Sequence, residues 1–306
     1  RKFKINFSGC DTDCGQAMFN DVGVVAATRT FSDGSVERGF RVYIAGGLGT
    51  TPFPALALEE FTPREDLLAT IEAVLRVFEQ TGNRDNKLRA RLKWVVDQLG
   101  IDEVRRRVVA IRKLLPASAT WPGGVPELVA DWGDEPAGLA DGVTPTAMGQ
   151  GTPVTLGAKS DYDRWVEANV VRGAANGTVS AYAWCELGDV TSAQFRAVAA
   201  MVREFDTDVR VTNRQNLVMR DLTEDQLPAL YERLVAANMA MAGAELSRDV
   251  VACPGADTCN LAVTQSRGLA NAIGSALEEA GLAEVGGVRM NISGCTNSCG
   301  QHHTAD

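Results

Sequence analysis

The sequence predicts an α+β fold that is internally duplicated. Residues 5–21 and 290–306 align without gaps and share an Asn, a Ser-Gly-Cys, a second Cys after three intervening residues, and a Gly-Gln pair. Runs of Val, Ile and aromatic residues alternate with stretches of helical periodicity, which is typical of the α+β class. Because the second copy of the repeat ends the chain and the first residue is Arg, we expect one period of a longer, duplicated protein.

The first block, residues 1–115, is predicted to contain a β-hairpin followed by helices. Strand-like runs flank the turn Ser32-Asp33-Gly34, which is the pattern of a hairpin. Thr62-Pro63-Arg64-Glu65 matches a helix-capping box, and apolar residues recur at helical spacing beyond it. The predicted strands are residues 22–27 and 40–45, and the predicted helices are residues 62–78, 85–99 and 101–115.

Residues 116–150 are rich in Pro and Gly, which predicts a linker. The second block, residues 151–242, reads strand, helix, strand, strand, helix, and this order suits a small antiparallel α+β half-domain. The third block begins at residue 243 and contains two pairs of cysteines. The predicted strands are 178–187, 209–212 and 216–220, and the predicted helices begin at Thr191, with Gln194 as capping partner, near Thr223 and at Asn260.

Composition and charge exclude several classes of protein. The net charge of −9 offers no overall attraction for nucleic acid. No apolar run approaches the length of a membrane span, so we expect no membrane partner. Seven cysteines are an odd number and few for 306 residues, which favours a reducing, cytoplasmic compartment over a disulfide scaffold. Cys185, in an apolar stretch, is predicted to be a small buried side chain.

Four cysteines form two close pairs, Cys253 with Cys259 and Cys295 with Cys299. Four thiolates can hold a tetrahedral zinc ion or an iron–sulfur cluster. The gap between the first two cysteines is wide for a zinc knuckle, and the neighbouring glycines let backbone approach a bulky inorganic group. These features favour a cluster, with zinc as the alternative.

Two further groups of side chains are ambiguous. Cys10 and Cys14 repeat the second cysteine pair, but their partner cysteines would lie before residue 1. His302 and His303 are expected in an extended segment, where adjacent side chains point to opposite sides. Both histidines therefore cannot easily serve one metal site.

Several motifs together resemble the siroheme-dependent sulfite and nitrite reductases. They are the Arg1-Lys2-Phe3-Lys4 start, the Cys-x5-Cys and Cys-x3-Cys pairs, the duplication, and the stretches at residues 83–87, 212–216 and 291–300. The resemblance implies two pseudo-symmetric halves, each a ferredoxin-like half-domain followed by a mixed α/β lobe for siroheme and 4Fe–4S. It assigns residues 1–115 to the C-terminal part of the first lobe, 151–242 to a half-domain, and 243–306 to the start of the second lobe.

The resemblance implies that Cys253, Cys259, Cys295 and Cys299 hold a 4Fe–4S cluster. Cys299 would also bridge to the siroheme iron, which gives electrons a short route to the substrate. Asn297, between the last two cysteines, is expected to lie against the cofactors. Cys10 and Cys14 would be vestigial or structural.

Lys2 and Lys4 match the active-site lysines of these enzymes. On a strand they would project to the same side, where they could hold a small oxyanion and supply protons to it.

The carboxylates of siroheme require a basic pocket. Arg84, Lys87 and Arg91, at helical spacing, and Arg214 are the candidates to supply it. A solvated basic helix, or a docking surface for an acidic ferredoxin, is the alternative for these residues.

The implied activity is the assimilatory six-electron reduction of sulfite to sulfide, with electrons from ferredoxin or a flavoprotein. Reduction of nitrite to ammonia by the same cofactors is the close rival. Lys4 favours sulfite, because plant-type nitrite reductases tend to have Asn at that position. Two functions of a different class stay open: a zinc-stabilised binding module, and a degenerate paralogue that binds an electron carrier without catalysis.

Overall fold

A computed structural model describes residues 2–13, 15–116, 159–173 and 177–305. The chain divides into two compact units, Arg1–Asp134 and Glu135–Asp306. Residues 117–150 of the predicted linker lie outside the described residues, and the domain boundaries expected from the sequence stay predictions. None of the described helices is long and apolar enough to cross a membrane.

The first unit is built on a four-stranded sheet in the order β1-β2-β3-β4. β2 (Val22–Thr30) and β3 (Val36–Ile44) form an antiparallel hairpin, which confirms the predicted hairpin and lengthens both strands. β4 (Leu56–Pro63) continues the sheet in antiparallel fashion. β1 (Ile5–Ser8) lies parallel to β2, so the first copy of the sequence repeat begins as an edge strand.

Three helices follow the sheet: α1 (Leu67–Thr81), α2 (Leu92–Leu99) and α3 (Ile101–Arg112). The predicted capping box at Thr62 is wrong. Thr62 lies within β4, where its hydroxyl donates to Glu59 Oε2 at 2.5 Å instead of capping the helix. The alternation of buried and exposed residues along β4 outweighs the local capping pattern. Burial of one face of the sheet contributes more stabilising free energy than a single helix cap does.

The core of the first unit lies between the sheet and the helices. Valine and isoleucine side chains of β2 and β3 alternate inward and pack on apolar faces of all three helices. The fully buried residues of this core include Val22, Val24, Val42, Ile44, Val74, Leu92, Val104 and Val108.

The second unit begins with an antiparallel sheet in the order β5-β6-β8-β7. This confirms the predicted α+β half-domain and adds α4 and β5, which the sequence reasoning missed. Trp165, Met201, Met219, Leu230 and Leu234 form its fully buried core. The elements are α4 (Asp161–Asn169), β5 (Val170–Arg172), β6 (Val179–Ala183), α5 (Ser192–Phe205), β7 (Asp208–Val211), β8 (Leu217–Leu222) and α6 (Leu227–Ala236).

The last part of the second unit contains two very short parallel strands and one helix. β9 (Val251–Ala252) pairs with β10 (Asn291–Ile292), and α7 (Ser266–Glu279) packs on them through Ala270. The helix begins six residues later than predicted, because residues 260–265 form turns around the first cysteine pair.

The predicted cap of α5 is confirmed as a complete capping box. The hydroxyl of Thr191 accepts from the amide of Gln194, whose side chain accepts from the amide of Thr191 at 2.9 Å. Thr191→Ala leaves a helix N–H without its acceptor and is expected to lower the free energy of unfolding by about 1 kcal/mol. Urea denaturation followed by circular dichroism measures this loss.

The matched control is Ser192→Ala, one residue along on the exposed face of the same first turn. It should leave the free energy of unfolding close to that of the original protein. Equal losses in the two variants would show that the Thr191 cap does not stabilise the helix.

Candidate functional site

The four predicted cysteine ligands lie on two loops that leave neighbouring strands. Cys253 directly follows β9, and Cys295 lies three residues after β10. The two strands are parallel, with Ala252 opposite Ile292. Because parallel strands present their carboxyl ends at the same edge, the two cysteine loops start side by side.

Glycines let the backbones of these two loops touch. A Cβ on Gly294 would lie 2.9 Å from Gly255 Cα and 3.0 Å from the carbonyl oxygen of Thr264. Gly255 has a φ of +61°, and a Cβ there would collide with the hydroxyl of Ser266. Glycine is therefore required at both positions, because only a residue without a side chain lets the two loops approach this closely.

Cys253 is half-buried and hydrogen-bonded at its sulfur. Gly294 N–H donates to Cys253 Sγ at 3.1 Å, and the hydroxyl of Ser266 lies 3.4 Å from the same sulfur. Burial alone raises the pKa of Cys253, but hydrogen bonds from Ser266, Gly294 and Gly255 outweigh it, so the pKa lies below its ordinary value. The site thus favours the thiolate, which is the form that binds metal.

Two of the other three cysteines are more open than Cys253. Cys259 and Cys299 are exposed and Cys295 is half-buried. Asn297, between the last two, is also exposed. Among the described residues, no three His, Cys, Asp or Glu side chains lie close enough together to share one metal ion.

The two copies of the sequence repeat have the same local structure. The side-chain amide of Asn6 donates to the carbonyl oxygen of Gln16 at 3.4 Å, and that of Asn291 donates to Gln301 at 3.2 Å. Each copy then enters a 3₁₀ turn, at Ala17–Phe19 and at His302–Thr304. A left-handed φ also recurs at the equivalent pairs Asp13 and Ser298, and Gln16 and Gln301.

The copies differ inside the cysteine loop. Asp13 accepts hydrogen bonds from Ser8 and from the amide of Ala17, which close the first loop on itself. Ser298, the equivalent residue, has a buried hydroxyl with no hydrogen-bond partner among the described residues. Cys10 is exposed, whereas Cys14 lies outside the described residues, so the structure does not test a joint site for them.

Lys2 and Lys4 are exposed in the first unit, just before β1 begins at Ile5. The expected strand therefore does not extend over them. The backbone of Lys4 is nevertheless held in place, because its N–H donates to Asp21 Oδ2 at 2.9 Å and its carbonyl oxygen accepts from Val22 at 3.0 Å. Its side chain is left exposed.

Asp21 is fully buried and accepts two hydrogen bonds from Arg91, at 2.9 and 2.8 Å. The prediction that Arg84, Lys87 and Arg91 share one helix face is therefore wrong. A 3₁₀ turn at Lys87–Arg89 interrupts the predicted helix 85–99, and α2 starts only at Leu92.

Asparagine side chains cause this interruption. Asn83 Oδ1 accepts from the amides of Asp85 and Asn86, and Asn86 Oδ1 accepts from Leu88. Such side-chain bonds compete with the helix for backbone N–H groups. Arg84 lies exposed beside them and donates to the carbonyl oxygens that end α1, of Phe78 at 3.3 Å and Glu79 at 3.1 Å.

Arg214 lies in the second unit, at the base of the first cysteine loop. Its side chain is 11% exposed and donates to the carbonyl oxygen of Glu245 at 2.5 Å. Its Nε lies 3.6 Å from Glu245 Oε2 in an ion pair and has no hydrogen-bond partner among the described residues. Asn216, which sequence reasoning missed, donates to the carboxylate of Asp249 and accepts from the amide of Cys185. The motif at residues 212–216 therefore fixes residues 245–249, the segment that precedes β9, through hydrogen bonds.

Asp249 is an unexpected buried acid in this network. It is 6% exposed, and burial raises its pKa to about 6, against the opposing effect of donors from Glu245 and Asn216. The burial of Asp249 results from contacts between segments that are distant in sequence. No local sequence pattern could therefore have predicted that this carboxyl group is buried.

The remaining candidates divide into one confirmed prediction and one wrong one. Cys185 is buried as predicted, and burial raises the pKa of its thiol to about 11. The expectation that His302 and His303 are extended is wrong, because they begin a 3₁₀ turn with their ring centroids 4.1 Å apart. Burial lowers the pKa of His302, and the neighbouring His303 lowers it further.

Two family models match the chain. The nitrite and sulphite reductase 4Fe-4S domain matches residues 1–113, which include the first copy of the repeat. The nitrite/sulfite reductase ferredoxin-like half domain matches residues 173–237, within the antiparallel half-domain of the second unit.

Individual proteins give the same picture. A ferredoxin–nitrite reductase of Synechococcus elongatus is 28% identical in an alignment that covers the whole of this chain and 52% of the relative. The NADPH sulfite reductase hemoprotein beta-component of Geobacillus kaustophilus is 25% identical over the whole chain and 49% of its own length. The chain thus spans about half the length of the relatives it matches.

A solved structure has the same fold. The Mycobacterium tuberculosis NirA protein matches with a TM-score of 0.67 and 22% identity, over 95% of this chain and 46% of that one. At this identity the likeness establishes the fold alone.

The raised pKa of Asp249 predicts a pH-dependent stability of the second unit. The carboxyl binds its proton more tightly in the folded state, at about 6, than at its ordinary value of 3.8. The carboxyl group of Asp249 therefore contributes its full stabilisation below pH 3.8. This stabilisation is lost as the pH rises through about 6, which lowers the free energy of unfolding by up to about 3 kcal/mol. Urea denaturation at a series of pH values in this window measures the loss, which Asp249→Asn should abolish.

Asp257→Asn, at an exposed aspartate near the cysteines, is the control. It should keep the pH dependence of the original protein. Parallel pH curves for the original protein and Asp249→Asn would contradict the prediction.

Proposed function

Because the chain belongs to the nitrite and sulfite reductase family, we propose that the whole protein is an oxidoreductase that reduces sulfite or nitrite with siroheme and a 4Fe–4S cluster. The relatives carry names of both activities at 24–28% identity, so the family fits either substrate. The carrying observation is the pair of touching cysteine loops, with a backbone N–H directed at Cys253 Sγ.

We assign the cluster to Cys253, Cys259, Cys295 and Cys299. The donor set fits such a group, because four cysteines on two adjoining loops offer the thiolates that an iron–sulfur cluster binds. When bound, the cluster and siroheme supply the redox chemistry, and Cys299 is the proposed shared ligand, with Asn297 beside it. Hydrogen bonds from Ser266 and Gly294 lower the pKa of Cys253, which favours its thiolate form.

Lys2 and Lys4 are the proposed substrate residues. Asp21, neutralised by Arg91, fixes the backbone at Lys4, and the exposed side chain remains available to an oxyanion. A protonated amine there would hold the substrate by charge and donate protons to the oxygens that leave as water.

Arg84 and Lys87, both exposed, are proposed to contribute positive charge to the siroheme carboxylates. Arg214 is proposed for the same purpose, although Glu245 engages its guanidinium through the carbonyl oxygen and through the carboxylate, which lies 3.6 Å from Nε.

The electron donor is proposed to be ferredoxin or a flavoprotein. The names of the relatives include a ferredoxin-dependent and an NADPH-dependent reductase. We further propose a cytoplasmic location, in which thiolate ligands stay reduced. No nucleic-acid partner is proposed, given the net charge of −9.

Metal analysis of the whole protein tests the cofactor assignment. We expect iron, acid-labile sulfide and a tetrapyrrole absorbance, and we expect Cys295→Ser to lose most of the sulfide because it removes a ligand. Cys10→Ser is the matched control, since Cys10 holds the equivalent position in the other copy of the repeat. Stoichiometric zinc without visible absorbance would instead support the binding module.

We propose sulfite as the preferred substrate, on the basis of Lys4. Lys4→Asn removes a positive charge and a proton donor, and it should lower kcat/KM for sulfite about tenfold more than for nitrite. Sulfide and ammonia formation with each substrate gives the two values. Lys4→Arg keeps the charge and should change the ratio less. A ratio unaffected by Lys4→Asn, or a higher initial kcat/KM for nitrite, would reject the preference.

A further inference from the structure

The side-chain amide of Gln215 makes two hydrogen bonds to one backbone residue. Gln215 Nε2 donates to the carbonyl oxygen of Ala252 at 3.1 Å, and its Oε1 accepts from the N–H of Ala252 at 3.1 Å. Ala252 is the last residue of β9, directly before Cys253. The amide therefore satisfies both polar groups of the residue that precedes the first proposed cluster ligand.

These bonds lie on the side of β9 that faces away from β10. Val251 N–H donates to Met290 at 3.0 Å, and Cys253 N–H donates to Ile292 at 3.1 Å. Successive residues of a strand direct their backbone groups to opposite sides, so Ala252 has no access to β10. The side-chain amide of Gln215 thus takes the place that the backbone of a neighbouring strand would have beside Ala252.

The loss of this pairing would be costly. Ala252 is 1% exposed, so water does not replace the lost bonds. A buried backbone group without a partner destabilises a structure considerably more than a typical hydrogen bond stabilises it.

Gln215 is itself held from both sides. Its φ of +71° lies in the left-handed region, and its side chain reaches Ala252 of β9. Arg214 before it and Asn216 after it are anchored to the loop at residues 245–249. Gly188 leaves the space for its Cβ, because a Cβ on Gly188 would lie 2.9 Å away.

We propose that Gln215 is a positioning residue for the iron–sulfur cluster: it fixes the end of β9 and thereby the sulfur of Cys253. The proposal rests on the proposed function, in which Cys253 is a ligand. The link is direct, because the hydrogen bond from Gly294 to Cys253 Sγ requires β9 and β10 to keep their register. Hydrogen bonds to ligand sulfur influence both the retention and the reduction potential of a cluster.

Gln215→Leu tests this in the whole holoprotein. The substitution keeps the approximate volume and removes both bonds to Ala252. We expect the cluster to be lost about tenfold faster to an iron chelator, as measured by the decay of its absorbance, and its reduction potential to shift in a redox titration.

Gln226→Leu is the matched control. Gln226 also uses both ends of its amide on backbone groups, accepting from Thr223 at 2.9 Å and donating to Phe205 at 3.2 Å, but it lies in the half-domain and does not contact β9. It should lower thermal stability to a similar extent while leaving the cluster potential and the rate of cluster loss unchanged.

The cluster behaviour of the two variants decides the proposal. A changed potential in Gln215→Leu alone supports it, and equal cluster behaviour in the two variants overturns it. If the original protein contains no iron or sulfide, the proposed function fails first. If Gln215→Leu does not fold, amide hydrogen exchange at Ala252 in the original protein decides: strong protection supports the pairing, and exchange as fast as at exposed turns overturns it.

Discussion

The parallel pairing of β9 with β10 is the constraint on which the candidate site depends. It joins two segments that are 41 residues apart at Cys253 and Gly294 and places their cysteine loops at one edge. The strands are only two residues long, so the pairing needs support from outside. That support comes from the amide of Gln215 on the far side of β9 and from Ser266 at the start of α7.

The internal repeat shows how one backbone motif serves two chemical settings. Both copies use an Asn side chain, two left-handed residues and a 3₁₀ turn to shape the cysteine loop. In the first copy the carboxylate of Asp13 occupies the interior of the loop. In the second copy Ser298 replaces it, so this position carries no charge that would repel the thiolates of the proposed ligands Cys295 and Cys299.

The errors of sequence reasoning have specific physical causes. The sequence spacing places Arg91 on one helix face with Arg84, but Asn83 and Asn86 interrupt that helix. Arg91 instead pairs with the buried Asp21, which is 70 residues away. Thr62 has the form of a cap, but the alternating burial of β4 takes precedence. At Thr62 the sheet outweighs a local capping preference of about 1 kcal/mol. At residues 83–88 the cause is local, because the two Asn side chains compete with the helix for backbone N–H groups.

The sequence by itself determined the duplication, the hairpin, the caps of the half-domain and the identity of the cysteine pairs. The duplication follows from direct comparison of residues 5–21 with residues 290–306. The other features depend on residue types within a few positions of each other, so the local pattern is sufficient. Only the tertiary structure decided which donors reach Cys253, what neutralises Asp21 and what pairs with Ala252. Those partners lie 41, 70 and 37 residues away, and they are selected because buried polar groups must be satisfied wherever the fold leaves them.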